Sequence, residues 1–280
     1  MSYLGYTRVM LYYFILFFGL GLIVGSFLNV VLLRGERDMS FVGGRSKCLT
    51  CQQIIAWYDN IPLLSYLVLG GKCRHCRIRI SWQYPLVEFF TGTLFAIVSY
   101  LFFDPLSNRA LLETSWMLLV VAFLVLIIVA DFQNMEIPLG YLVAINSLTV
   151  IYLVAEYFFF ERNSFFWDTG LAKGIIGGFV AWAFFFALVY FSKETWMGWG
   201  DVWLGLSGGL AVGFSYVLPM LTLSFALGAL YGISLMLLQG RNLKTQVPFA
   251  PFLGFGILAT LFLLASFPNH QEKFEFEHIL

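Results

Sequence analysis

Eight apolar stretches, each near the ~20 residues that cross a bilayer as a helix, constrain this chain more than any other feature. They run over about 9–33, 84–103, 114–130, 138–160, 171–191, 202–218, 219–239 and 249–266. In hydrocarbon such stretches must be helices, because an open strand edge would leave backbone groups without partners. Composition agrees: 60% of the 280 residues are hydrophobic and 11% charged, where a soluble domain carries about a quarter charged. A single core cannot bury that much apolar surface, so lipid is the main solvent. A soluble enzyme, a disordered chain and a small disulfide scaffold are excluded. The expectation is an all-α polytopic membrane protein of about eight transmembrane helices, one integral membrane domain over 1–280. Its net charge of zero gives no field toward nucleic acid, and none is expected as a partner. Only Arg8 precedes a first apolar run too long for a signal peptide, so no cleavable leader is expected.

The charges are few and unevenly placed. Residues 34–83 hold eight of the sixteen cations: Arg34, Arg37, Arg45, Lys47, Lys72, Arg74, Arg77 and Arg79. An excess of Lys and Arg marks a cytoplasmic loop. Eight spans then place the loops at 131–137, 192–201 and 240–248 on the same side, with the termini outside. Lys193, Arg241 and Lys244 bring the cytoplasmic cations to eleven, against five outside: Arg8, Arg109, Arg162, Lys173 and Lys273. The apolar run 61–69 inside the loop is too short to span and reads as a packed or interfacial segment.

Carboxylates beside apolar spans are costly and raise a functional question. Asp131 ends the third span and Asp201 opens the sixth, in Gly198-Trp199-Gly200-Asp201. Parity puts both at cytoplasmic helix ends, at one membrane depth. Two carboxyls brought together there would share a proton and activate a water against an amide carbonyl. Each alone also reads as a helix-end carboxylate in water. Glu88, early in the second span, reads as a snorkelling carboxylate or a site residue. Glu136 and Glu194 read as solvated loop charges, as do His270 and His278 in the polar tail. Glycines at four-residue spacing (Gly21 and Gly25; Gly205, Gly209 and Gly213; Gly228 and Gly232) read as helix-packing positions.

The four cysteines form two C-x-x-C pairs, Cys48 with Cys51 and Cys73 with Cys76, separated by 21 residues. Four thiolates complete a closed tetrahedral zinc site of structural type. In a reducing cytoplasm metal is expected over disulfides. Lys47, Lys72, Arg74 and Arg77 would ease thiolate formation. His75 is expected to be exposed, since the thiols already fill the site. The competing reading is four reduced cysteines in a loop.

At this point the residues resemble the prepilin peptidase family, also called type IV leader peptidases, over nearly the whole chain. Gly25-Ser26-Phe27-Leu28-Asn29-Val30 with Arg34 is similar to its first-helix signature. The cysteine pairs resemble its long loop, together with Trp57-Tyr58-Asp59-Asn60-Ile61-Pro62 between them and Tyr84-Pro85-Leu86-Val87-Glu88 after them. Asp131 with Ile137-Pro138, and Gly198-Trp199-Gly200-Asp201, are similar to its two catalytic aspartate segments. The resemblance implies a GxGD-type aspartic peptidase. Asp131 and Asp201 would be catalytic, 114–266 would form the peptidase helices, and 34–83 would be a cytoplasmic tetracysteine loop between helices 1 and 2. It implies removal of the leader of prepilins or pseudopilins after a Gly, at the cytoplasmic face of a bacterial inner membrane. It also implies N-methylation of the new N-terminus with S-adenosylmethionine. Glu88 is a candidate for that methyl-transfer site. No Rossmann-type glycine motif is present, so methylation rests on the resemblance. Trp203 stands where the family commonly has Lys, and Leu49 where Pro is usual. A peptidase without methyl transfer, an ion-coupled transporter and an assembly scaffold are the alternatives. Against a transporter, neither aspartate lies mid-span, and no internal repeat is evident.

Overall fold

The computed structural model describes residues 3–35, 46–239 and 247–266. Arg37, Arg45, Arg241, Lys244, Lys273, His270 and His278 lie outside them. The described residues form nine α-helices: α1 Tyr3–Gly35, α2 Leu64–Val68, α3 Gln83–Phe102, α4 Asn108–Asn134, α5 Leu139–Glu156, α6 Gly170–Ser192, α7 Trp199–Val212, α8 Val217–Gln239 and α9 Ala250–Ser266. Eight of these, all but the five-residue α2, coincide with the eight apolar stretches. Six (α1, α3, α4, α5, α6 and α8) are long and apolar enough to cross a membrane. The chain is thus an all-helical, multi-pass membrane protein. It divides into two compact units, Met1–Tyr100 and Leu101–Leu280.

In the first unit, α1 and α3 meet backbone to backbone. A Cβ on Gly21 would stand 2.7 Å from the Gly92 Cα, and one on Gly25 2.8 Å from the Glu88 Cα. The four-residue glycine spacing therefore sets a close helix crossing. Asn29, one turn further, donates from Nδ2 to the Tyr84 carbonyl at 3.1 Å.

Between these helices the chain makes two short turns of the same form. In the first, Cys48 N–H donates to Gln53 O at 3.0 Å, Gln52 N–H to Cys48 O at 3.0 Å and Ile55 N–H to Ser46 O at 2.8 Å. In the second, Cys73 N–H donates to Ile78 O at 2.9 Å, Arg77 N–H to Cys73 O at 3.1 Å and Ile80 N–H to Gly71 O at 2.8 Å. Gln52 and Arg77 both adopt a left-handed φ, 56° and 58°. Isolated bridges, Lys47 with Ile54 and Lys72 with Arg79, close each turn. The same bonds thus recur 25 positions apart, aligning Lys47-Cys48-x-x-Cys51 and Ile55-x-Trp57 with Lys72-Cys73-x-x-Cys76 and Ile80-x-Trp82. The repeat is confined to the cysteine loop and is not the repetition of spans that a transporter would show. The two copies share few residues beyond the cysteines, because backbone bonding rather than side-chain packing makes the turn.

The second unit is a bundle whose tightest pair is α6 with α7. A Cβ on Gly177 would stand 2.6 Å from the Gly209 carbonyl oxygen. Met117, Leu124, Ile127, Ile145, Phe185, Leu204, Met220, Leu253 and Ile257 are fully buried around it. The outward faces are equally apolar: Phe191, Leu237 and Leu238 are exposed, as a lipid-facing surface requires. α7 has only 14 residues. Gly213, with φ of 74°, ends it before the expected boundary near 218. Gly228 makes only ordinary contacts and Gly232 meets nothing within 4 Å, so this third glycine pair is not an internal packing position.

At one end of the unit, Arg109 at the start of α4 pairs with Glu156 at 2.6 Å and Glu161 at 3.4 Å. Glu161 also accepts the Gly170 N–H at 2.7 Å, tying α6 to the same cluster. Asp131 lies 22 residues along α4 from Arg109, roughly 33 Å at 1.5 Å per residue. The two charged ends of the unit are therefore about one bilayer core apart.

Candidate functional site

Asp131 sits in the last turn of α4, which Met135 closes in a left-handed conformation with its N–H on the Asp131 carbonyl at 2.9 Å. A carboxylate there is at the negative end of the helix dipole. Something must offset it, and α9 does. The Ala250 N–H, at the first residue of α9, donates to Asp131 Oδ2 at 3.1 Å. Helix N-termini carry amides without intrahelical acceptors and a partial positive charge. Asp131 takes one of them across 119 positions of sequence. Reading the sequence missed this partner. Its signal was Pro248-Phe249-Ala250-Pro251, a proline pattern that suits a helix start.

Asp201 is the third residue of α7, and its Oδ2 accepts the Gly198 N–H at 3.3 Å. Asp131 is 6% and Asp201 8% exposed. Two contacts join their segments. A Cβ on Gly200 would stand 3.0 Å from Ile137 Cδ1, so the glycine lets the Asp201 turn press against the Ile-Pro that follows Asp131. Asn146 of α5 donates to the Trp203 carbonyl at 3.2 Å. The structure thus brings together the segments that carry two buried carboxyls 70 positions apart. Trp203, the departure from the family pattern, is half-exposed. Glu136 is exposed, as expected. Glu194 is exposed too, but accepts from Trp199 Nε1 at 2.8 Å and folds the preceding loop onto α7.

In the first unit the four thiols converge. The Sγ atoms of Cys48, Cys51, Cys73 and Cys76 all lie within 4.8 Å of one another, and Cys48 and Cys76 are 3.8 Å apart. A tetrahedron with Zn–S bonds of about 2.3 Å has edges of about 3.8 Å, so the cluster is compatible with a zinc ion. The Cys51 and Thr50 backbone N–H groups pull the Cys48 thiol down to about 6. Those of Cys76 and His75 lower the Cys73 thiol in the same way. The expected help from Arg74 is corrected. Its guanidinium is committed to Asp59, with bonds of 2.6, 2.8 and 3.1 Å, because a planar fork matches a carboxylate better than a sulfur. Arg74 holds Asp59 below the usual carboxylate range. His75 is exposed.

Glu88 is 8% exposed rather than snorkelling. Its Oε2 accepts the Leu63 N–H at 2.9 Å. It lines a cavity of about 850 Å³ walled by α1, the two cysteine turns and the start of α3.

Comparison with known proteins agrees with this division. Residues 20–102 match the bacterial peptidase A24 N-terminal domain, and residues 118–233 match the type IV leader peptidase family. A prepilin leader peptidase/N-methyltransferase of Aeromonas hydrophila is 30% identical over 266 residues, covering 86% of this chain and 87% of that protein. One of Vibrio cholerae is 33% identical over 224 residues, covering 76% and 82%. A type 4 prepilin-like proteins leader peptide-processing enzyme of Escherichia coli is 32% identical over 275 residues, covering 88% and 93%. No solved structure matches the chain.

Proposed function

This chain belongs to the type IV leader peptidase family, and on that premise we propose that Asp131 and Asp201 are the catalytic pair of its membrane peptidase. The enzyme removes the leader of prepilins or pseudopilins and N-methylates the exposed residue. The observation that supports the pairing is the burial of both carboxyls at helix ends whose segments meet at Gly200 and Ile137.

The geometry supports an acid–base pair. The pair shares one proton, since two close carboxylates cannot both stay charged in a dry site. Each aspartate accepts one backbone N–H, Asp131 from Ala250 and Asp201 from Gly198, so either can be the ionised general base while the other carries the proton and is the acid. A water between them loses its proton to the ionised member as its oxygen attacks the carbonyl carbon of the leader glycine. The C–N bond then breaks, and the departing amine takes the proton of the other aspartate. Gly198 and Gly200 leave room for a substrate backbone beside this water.

The four thiols would hold one structural zinc, closing the two cysteine turns on each other. Methyl transfer belongs to the first unit, whose cavity falls in the size range of small-molecule sites. S-adenosylmethionine supplies an electrophilic methyl group when bound. The chain must hold that group and an amine in line and exclude water. The buried carboxylate of Glu88 and its neighbours on the cavity wall fit such a cationic ligand. The helices 114–266 form the peptidase part, residues 34–83 the cytoplasmic tetracysteine loop, and the bacterial inner membrane is the expected location.

The test is incubation of membranes containing the protein with a prepilin, read by mass spectrometry. Loss of the leader together with a mass gain of one methyl supports the reading. An intact prepilin contradicts it.

A further inference from the structure

The signature at the end of α1 and the carboxylate on α3 converge on one place in the first unit. Gly25 lets the Glu88 backbone come within contact distance of α1. Ser26, the next residue, lines the same cavity as Glu88. Asn29, one turn on, is 3% exposed and lines the same cavity. Its Nδ2 donates to the Tyr84 carbonyl, which fixes the amide orientation, since turning it over would set two oxygens together. That leaves Asn29 Oδ1 buried with no hydrogen-bond partner among the described residues. An orphaned buried acceptor costs about 1–3 kcal/mol, which a donor on a bound ligand would offset.

Leu63 supplies the remaining contact. Its N–H reaches Glu88 Oε2 from a residue with φ of 58°, a conformation a leucine rarely adopts. Strain kept beside a buried carboxylate points to a site. Among the charged residues that line the cavity, Arg34 of α1, Lys47 and Arg79 are cations and Arg74 is paired with Asp59. Glu88 is the carboxylate on the helix side, and the Asn29 amide stands beside it.

We propose that Ser26, Asn29 and Glu88 form a binding site for a primary ammonium group. Glu88 accepts a charge-assisted hydrogen bond from it, Asn29 Oδ1 accepts a second, and Ser26 holds the carboxylate in place. This deepens the methyl-transfer reading and rests on it for the identity of the ligand. Two molecules in that reaction carry such a group: the cleaved pilin, at its new N-terminus, and S-adenosylmethionine, at its amino-acid end.

Calorimetric titration of purified protein separates the sources. One matched pair is a pilin-like peptide with a free N-terminus and its N-acetyl form. The other is S-adenosylhomocysteine and methylthioadenosine, which lacks the amino-acid end. Wild-type protein should prefer the ammonium-bearing member of one pair by roughly thirtyfold, the scale of a buried charge-assisted bond. That pair names the source. In Glu88→Gln the preference should fall below about threefold, with binding of the uncharged member unchanged. Should Glu88→Gln fail to fold, judged by loss of both zinc and leader cleavage, Ser26→Ala decides. It should reduce the preference by roughly threefold. Wild-type protein without either preference overturns the site, as does a preference that survives in Glu88→Gln, or one that Ser26→Ala leaves undiminished where that variant decides. Wild-type protein that shows the preference yet methylates nothing keeps the site and overturns the methyl-transfer reading instead.

Discussion

The two units hold their functional groups by opposite means. In Leu101–Leu280 each aspartate sits in an end turn of a helix, and glycine contacts lock the elements together, Gly177 on Gly209 and Gly200 on Ile137. In Met1–Tyr100 the thiols ride on turns a few residues long, held by three backbone hydrogen bonds each. The helical frame suits a pair of carboxyls that must stay fixed while buried. The turns contain little apolar packing, so their mutual position depends on the thiol cluster. Disturbing the glycines should therefore harm the peptidase part as a whole. Disturbing the thiols should leave the peptidase bundle intact.

The largest expected effect lies at the dyad. Asp131→Asn or Asp201→Asn should each lower leader cleavage by roughly a thousandfold or more, since either removes the base or the acid. Zinc content should stay at wild-type level, because the thiols belong to the other unit. Cleavage rates and metal analysis of the same preparation check both halves.

Next is the metal. The protein should contain about one zinc per chain. Cys48→Ser or Cys73→Ser should release it and expose the 46–82 segment to protease, while leader cleavage falls by less than roughly tenfold. A thousandfold loss of cleavage in these variants would break the contrast between the units. Chelation of wild-type protein should have the same result as either substitution.

Packing gives the third test. Gly177→Val puts methyl groups where the Gly209 carbonyl stands and should cost about 2–3 kcal/mol, seen as a lowered Tm. Gly232→Ala meets open space and should leave Tm within about a degree, the scale of a neutral surface change. Equal effects at the two glycines would mean that α6 and α7 do not pack as described.

Much of this was legible in the sequence, for reasons the two units make plain. Apolar length announces a membrane helix, so the eight stretches and their helices coincide to within a few residues, except where Gly213 cuts α7 short. Carboxylates at span edges are conspicuous because they are costly, which is how Asp131 and Asp201 were found. The Ala250 amide on Asp131 was not legible, because a backbone donor 119 positions away leaves no residue-type signature. Glu88 read equally well as a surface charge. Only the close crossing at Gly25 shows that it is buried. The repeat of the cysteine turns is visible in the sequence as Lys-Cys-x-x-Cys with Ile-x-Trp at 25-residue spacing, but its backbone hydrogen bonds are not.

The central claim is that the two chemistries are housed in different units. The direct measurement gives Asp201→Asn protein a pilin already cleaved, with a free N-terminal amine, and S-adenosylmethionine, and reads the product by mass spectrometry. Methyl transfer needs an amine held in line with an activated methyl, and no water-activating pair. The account predicts methylation within about threefold of wild type alongside no detectable cleavage of a prepilin. Loss of methylation together with cleavage, in protein that keeps its zinc and its Tm, would contradict it and place both reactions at one shared site.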